Sequence, residues 1–272
     1  MAKENHSNEI TAPEADNQCC PTETGSIIGI YKSGCLVCGA PLIYYWKNKE
    51  SRCCFCGEIL QANAGCPVGH FVCDKCHSAD VIEIIKNVCL QSRESNMVKL
   101  MQAIRSHPLF KMHGPEHHSM VPAVILTALK NRGEQITDDD IVTAIERGKT
   151  VCGGACAILG ACGAAIGAGI AISIVLKASP NDGGKRQAVQ QATQRVLARI
   201  ASFKAPRCCQ RDSWLALKEA SAIINEITGK SLPVYSFKCE QLQENRECIH
   251  EHCPLWPGIR DSLKGGNPEF YV

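Results

Sequence analysis

A Cys-x2-Cys-Gly sequence closes a turn that aims two thiolates at one tetrahedral ion while backbone amides hydrogen-bond the sulfurs. This chain has two such knuckles, Cys35–Cys38 and Cys53–Cys56, followed by the run Cys66-Pro-Val-Gly-His70-Phe-Val-Cys73-Asp-Lys-Cys76-His77. A short stretch with this many ligands has little room for an apolar core, so metal binding must supply its folding energy. Two allocations of ligands are possible. Sequential pairing puts Cys35, Cys38, Cys53 and Cys56 on one ion and Cys66, His70, Cys73 and Cys76 on another. Interleaved pairing puts Cys35, Cys38, Cys66 and His70 on one ion and Cys53, Cys56, Cys73 and Cys76 on the other. The interleaved form is preferred, because each site then closes a loop and the second set need not wrap one ion within eleven residues. Cys54 and His77 are spare in both. Four-ligand Cys/His sites are closed to substrate, so both ions are expected to be structural zinc.

The spacing Cys-x3-His-x2-Cys-x2-Cys resembles the middle of RING-type and related treble-clef zinc modules. The resemblance covers only those residues, and no later Cys-x2-Cys completes the RING order. Between the knuckles, PLIYYW reads as a strand.

Nineteen cysteines in 272 residues far exceed ordinary usage. Residues 1 to 24 are polar and carry no apolar leader, so the cysteines point to metal ligation or redox chemistry in a reducing cytoplasm, as in an anaerobe, rather than to a disulfide framework. Net charge is +2 with both signs spread along the chain, which excludes a nucleic-acid footprint. Cys19 and Cys20 fall in a tail read as disordered.

The second unusual stretch is 151–176, VCGGACAILGACGAAIGAGIAISIVL. It holds three cysteines among six glycines and seven alanines. It is long enough to span a bilayer, but Gly and Ala contribute little to insertion and no aromatic belt flanks it, so a buried, closely packed central helix is the expectation. Cys152, Cys156 and Cys162 cannot converge from one straight helix. They can line one pocket if CGGAC is a loop.

Just upstream, four of the nine histidines lie between His107 and His118. Gly114 and Pro115 make a turn, and His117 and His118 then fall in the first turn of a helix, where the positive helix end keeps imidazole neutral. His113, Glu116, His117 and Cys162 are the catalytic candidates, with Glu116 as ligand or general base. Pro122 either kinks this helix or starts it. Helices are further predicted over 79–92 (with Cys89 on the apolar face), 95–106, 121–133, 137–148, 184–203 and 213–229, and a short strand over 233–237.

Near the C-terminus, Cys208 or Cys209 with Cys239, Cys248 and Cys253 can supply four thiolates to an iron–sulfur cluster or to zinc. Together with Cys152 and Cys156 these are the cofactor-binding candidates.

The segments CPVGHFVCDKCH, MHGPEHH, ERGKTVCGGACAILGACGAAIGAGIAISI, RCCQRDSWLAL and ENRECIHEHCP resemble a domain-of-unknown-function family of Cys-rich proteins from anaerobic bacteria and archaea. Some members look like fusions to an S-adenosylmethionine-dependent methyltransferase domain. GGACAILGACGAAIGAG is also similar to a segment of redox-active Cys proteins. The resemblance implies metal or redox chemistry and a methyltransferase or redox partner.

The expected architecture is mainly α. A disordered tail (1–25) precedes a two-zinc ribbon or treble-clef module (26–78), then an all-α metal/redox domain (79–260) around the Gly/Ala-rich helix, and a C-terminal tail (261–272).

Overall fold

A computed structural model describes residues 34–258 apart from 55, 56, 230 and 231. Cys19, Cys20, Cys56 and both expected tails lie outside the described residues.

The N-terminal part is an antiparallel hairpin of β1 (Ile43–Arg52) and β2 (Ile59–Gly65). Register slips between Tyr44 and Lys49, leaving a bulge in β1. Almost every residue of β1 is exposed, so apolar burial does not hold this hairpin, as the ligand-rich sequence requires.

The rest is helical: α1 (Asp74–Gln91), α2 (Met97–Arg105), α3 (Glu116–Asn131), α4 (Asp138–Lys149), a single turn α5 (Ala155–Ile158), α6 (Gly163–Val175), α7 (Gly183–Ala201) and α8 (Cys209–Thr228). The caps are those the sequence offers. Asn96 accepts from the amides of Val98 and Lys99, Thr137 and Asp140 form a capping box, and Gly133 and Gly229 end their helices at positive φ. α1 begins at Asp74 and runs through residue 78, so the expected boundary after 78 falls inside a helix.

α3 is the core element. Residues 116 to 129 are buried all round, and α3 packs against α1, α2, α4, α6 and α8. Pro122 lies inside it and neither starts it nor breaks it. Proline has no N–H to give to the carbonyl four residues back, which is that of His118. Gly148 of α4 and Gly167 of α6 face that carbonyl: a Cβ would stand 2.6 Å from it at Gly148 and 3.0 Å at Gly167. The glycines thus let two helices close on α3 where its own ladder is interrupted.

The Gly/Ala run is not one helix. Gly154 (φ 78°) and Gly160 (φ 68°) break it, and only 163–175 forms the long helix. CGGAC is a loop leading into one turn. No helix among the described residues is long and apolar enough to cross a membrane. The predicted strand at 233–237 is irregular backbone instead, and Val234 and Phe237 pack on the helical core.

Candidate functional site

Three cysteine-bearing regions can be built up from their elements. In the hairpin region, the ligand atoms of Cys35, Cys38, Cys66 and His70 all lie within 4.8 Å of one another, as do those of Cys53, Cys73 and Cys76. Cys35 Sγ is 3.8 Å from His70 Nδ1 and Cys38 Sγ is 3.5 Å from Cys66 Sγ. The structure brings together the interleaved sets, with Cys56 outside the described residues. The sulfurs receive amide hydrogen bonds two residues on: Val37 N–H to Cys35 and Val68 N–H to Cys66, each at 3.4 Å. Both groups can hold a metal ion. His77 is not spare in the structural sense. It follows Cys76 in α1, and its Nδ1 lies 3.2 Å from Glu116 Oε2, an ion-pair contact without hydrogen-bond geometry. Burial opposes the imidazolium, yet Glu116 and Asp74 together hold its pKa above the usual value.

The hairpin region docks on the CGGAC loop through two side chains. Asn63 of β2 donates to the Gly153 carbonyl at 2.7 Å, and the Asp74 carboxylate accepts from the Gly153 N–H at 2.9 Å. Along this seam runs a cleft of about 140 Å³, continuous in its walls with a larger cavity of about 560 Å³; Tyr44, Cys156, Cys162, Arg207 and Asp212 line both. His113, His117, His118 and Cys209 also face the cleft.

Each candidate there is held differently. Cys162 is the N-cap of α6, its carbonyl accepting from the Ala165 and Ile166 amides; burial first, then the Asp212 charge, pushes its thiol up to about 12. Burial also drives Asp212 up, against the pull of Arg211, whose Nε donates to it at 2.9 Å. His117 uses both ring nitrogens. Nδ1–H donates to the Gly114 carbonyl at 3.1 Å, and Arg105 donates to Nε2. His118 donates from Nδ1 to the Val151 carbonyl at 2.9 Å and lays its ring where a Cβ on residue 163 would be, so glycine is required there. His113 meets Asn245 at 3.3 Å and Glu247 at 3.5 Å through Nε2, while its buried Nδ1 has no partner. Burial lowers all three imidazoles, His117 furthest. Glu116 lies under the Gly114 turn, 1% exposed, with neither carboxylate oxygen hydrogen-bonded.

The cleft therefore gathers His113, His117, Cys156, Cys162 and Cys209, with Glu116 just behind. Cys152 is not part of its wall. The sequence offers Asp212 as a cap for the helix predicted over 213–229, whereas α8 starts earlier with Cys208 as its N-cap and Asp212 inside its first turn; Asn63, Asp74 and Arg105 were missed altogether. Arg105 had a signal: it falls on the buried stripe of α2 with Met97, Val98, Leu100, Met101 and Ile104.

The third region separates the neighbouring cysteines. Cys209 faces the cleft, whereas Cys208, the α8 N-cap, faces a small and almost wholly apolar cavity of about 20 Å³ that Cys239, Cys248 and Cys253 also line. Cys239 Sγ lies 3.6 Å from Gln210 Oε1.

A mainly helical, cysteine-rich chain with two Cys/His groups able to hold metal ions is the class of protein these features define. It belongs to a family of unknown function (DUF5714), whose model matches residues 85–256. The match covers the cleft-forming helices and the C-terminal cysteines and begins beyond both N-terminal ligand groups. No curated protein and no solved structure matches the chain.

Proposed function

We propose that this is a cytoplasmic metalloprotein in which two structural zinc ions hold the hairpin region against a thiol-lined cleft, and that the cleft carries redox or sulfur/methyl-group chemistry. The zinc ligands are Cys35, Cys38, Cys66 and His70, and Cys53, Cys56, Cys73 and Cys76. The observation that carries this reading is the grip of Asn63 and Asp74 on Gly153, which ties the metal-organised segment to the loop bearing Cys156. Zinc in such closed sites does no chemistry; it fixes the residues that frame the cleft.

Within the cleft, Cys162 is the reactive thiol. It is protonated as it stands, and a cationic group bound beside Asp212 would lower its pKa toward ionisation. His113, which burial holds toward the neutral form and which lines the same cleft, is the candidate to take the proton. His117 and Glu116 are positioning residues, one locked by Arg105 and Gly114, the other set beneath the turn.

The test is zinc content and thiol reactivity on the full chain. About two zinc ions per chain are expected, with Cys38→Ser and Cys73→Ser each losing one. Cys162→Ser should keep both ions and lose labelling by a small cationic alkylating agent. A chain purified without chelator that holds no zinc sinks the reading.

A second reading is favoured by the hairpin surface, where Trp46 is 99% exposed and Ile43, Tyr44 and Ile59 of the same hairpin are exposed as well. There the chain is a non-enzymatic zinc-binding adaptor or accessory protein of an S-adenosylmethionine-dependent methyltransferase. Trp46→Ser should then abolish co-purification with that enzyme and leave zinc content unchanged.

A further inference from the structure

We infer that Cys208, Cys239, Cys248 and Cys253 form a second metal centre, separate from the cleft, that takes an iron–sulfur cluster. The inference rests on the metalloprotein reading above but assigns a different site and a different metal.

Convergence comes first. The four thiols arrive from distant places in the sequence, one from the start of α8 and three from the irregular segment after it, and line one cavity among Met112, Leu242, Leu255 and Trp256. The segment is pinned there. Cys239 N–H donates to the Leu255 carbonyl at 2.7 Å, and Cys253 N–H donates to the His250 carbonyl at 2.8 Å. His250 itself sits at φ 49°, a conformation non-glycine residues seldom adopt and one that needs support from its surroundings. That backbone turn brings the His250 N–H to 3.4 Å from Cys248 Sγ.

The His250 amide repeats a pattern already seen: it reaches Cys248 from two positions on, as the amides of Val37 and Val68 reach Cys35 and Cys66 in the N-terminal groups. Backbone donors on sulfur are a regular part of metal-thiolate sites.

Charge supplies an independent argument. Arg105 is 3% exposed, and among the described residues no carboxylate forms an ion pair with it. Its Nη2 donates to Gln241 Oε1 at 2.6 Å, its Nη1 to His117, and its Nε has no acceptor. Burial disfavours its charge, and the neighbouring groups whose negative charge would offset that are Cys209 first, then Cys208, Glu116 and Cys239. Thiolates of Cys208 and Cys239 bound to a metal centre would add to that negative charge.

The spacing selects the kind of centre. Tetrahedral zinc, with Zn–S bonds of about 2.3 Å, holds its sulfurs about 3.8 Å apart. Among the described residues only the two N-terminal groups bring three or more ligand atoms within 4.8 Å of one another. The C-terminal four do not meet that limit, and as four thiols round an otherwise mostly apolar lining they make the ligand set of a cluster held by four cysteines, which would have to widen the hollow of about 20 Å³ to enter. Cys209, one residue from Cys208, faces the other way and is not a ligand.

The test uses the full chain purified without oxygen, with iron, acid-labile sulfide and zinc measured together and the visible and paramagnetic resonance spectra recorded. Iron and sulfide are expected alongside zinc, with a broad visible charge-transfer band. Cys208→Ser and Cys253→Ser should each lose most of the iron and the band, while Cys209→Ser and Cys162→Ser keep both. Zinc content near that of the unsubstituted chain shows that each variant has folded; for a variant that does not fold, reconstituting the metal-stripped parent with iron and sulfide after selective alkylation of the C-terminal thiols replaces it. Zinc without iron, before and after that reconstitution, overturns the inference and leaves the zinc reading intact. Retention of iron in Cys208→Ser, or its loss in Cys209→Ser alone, also overturns it. Iron without zinc would sink the zinc reading alone.

Discussion

Gly148 and Gly183 look alike in the sequence and differ entirely in the structure. A Cβ on Gly148 would stand 2.6 Å from the His118 carbonyl and from Ser119 Cα, both backbone atoms that cannot step aside. Gly148→Ala should therefore destabilise by about 1–3 kcal/mol, lowering the thermal midpoint by roughly 2–4 °C per kcal/mol. Gly183 has open space around its Cβ position and no positive φ. Gly183→Ala is expected to be neutral or to stabilise by up to about 1 kcal/mol through the unfolded chain. Paired calorimetry decides; equal effects would mean that α3 and α4 can separate freely. The histidines make a second residue-level prediction. His113, His117 and His118 hold lowered pKa values, so the unfolded chain binds protons that the folded one refuses, and stability is lost as pH falls below the unfolded value of about 6.5. His77 has a raised value and acts oppositely: its contribution is complete at low pH and lost as pH rises through its folded pKa. Below about pH 6.5 His77 is protonated in both states and drops out, so the three lowered imidazoles act unopposed. Denaturant unfolding from about pH 6.5 to about pH 5.5 should show falling stability, with unfolding taking up as many as about three protons, at metal content held constant. A flat profile would contradict the burial of the imidazoles.

Among the elements, the loop at 152–155 depends most on its neighbours. It is short, rich in glycine and fastened from outside by Asn63 and Asp74. Removing either side chain should cost about 0.5–1.5 kcal/mol of local stability, and the double variant Asn63→Ala, Asp74→Ala should accelerate hydrogen exchange at the Gly153 amide by at least roughly tenfold while leaving α3 unchanged. Equal acceleration in α3 would show that the two side chains support the whole body rather than the loop. Elements were also where the sequence was most readable. The caps at Asn96, Thr137 and Gly133 and the apolar stripes of α2 and α4 are local signals, and each sits where its residue types place it. α1 was longer than its apolar pattern suggested, because its first turn carries ligands instead of core residues. The Gly/Ala run misled for a physical reason: composition reports that helices can come close, but only dihedral angles at Gly154 and Gly160 decide where a helix stops. The segment at 233–237 had strand-like residues and, among the described residues, pairs with no strand.

At the scale of the whole molecule, cysteine spacing in sequence revealed the N-terminal groups, because both halves of each knuckle are neighbours along the chain. The cleft was only partly legible. Arg105, Asp212 and Asn63 come from three separate elements, and nothing local says that they share a wall with Cys162 or lie behind it. Metal removal should expose that organisation. Stripping any metal from the two N-terminal groups with a chelator at neutral pH is expected to leave most helical circular dichroism in place, since α3, α4, α6, α7 and α8 pack on one another without the hairpin. Proteolysis should then become rapid within residues 34–73, and Cys162 should become freely alkylated as the cleft loses one side. Loss of helix content in step with the metal would mean that the body cannot stand without its N-terminal part.

The peptide bond between Cys208 and Cys209 is a partition one residue thick, with the cleft on one side and the C-terminal hollow on the other. Both thiols sit at the start of α8, Cys208 as its N-cap and Cys209 as its first residue. A displacement of that turn cannot enlarge one compartment without pressing on the other. Occupants of the two spaces are thus thermodynamically linked: whatever fraction of affinity a guest in the cleft gains from a filled hollow, the hollow's guest gains equally from a filled cleft.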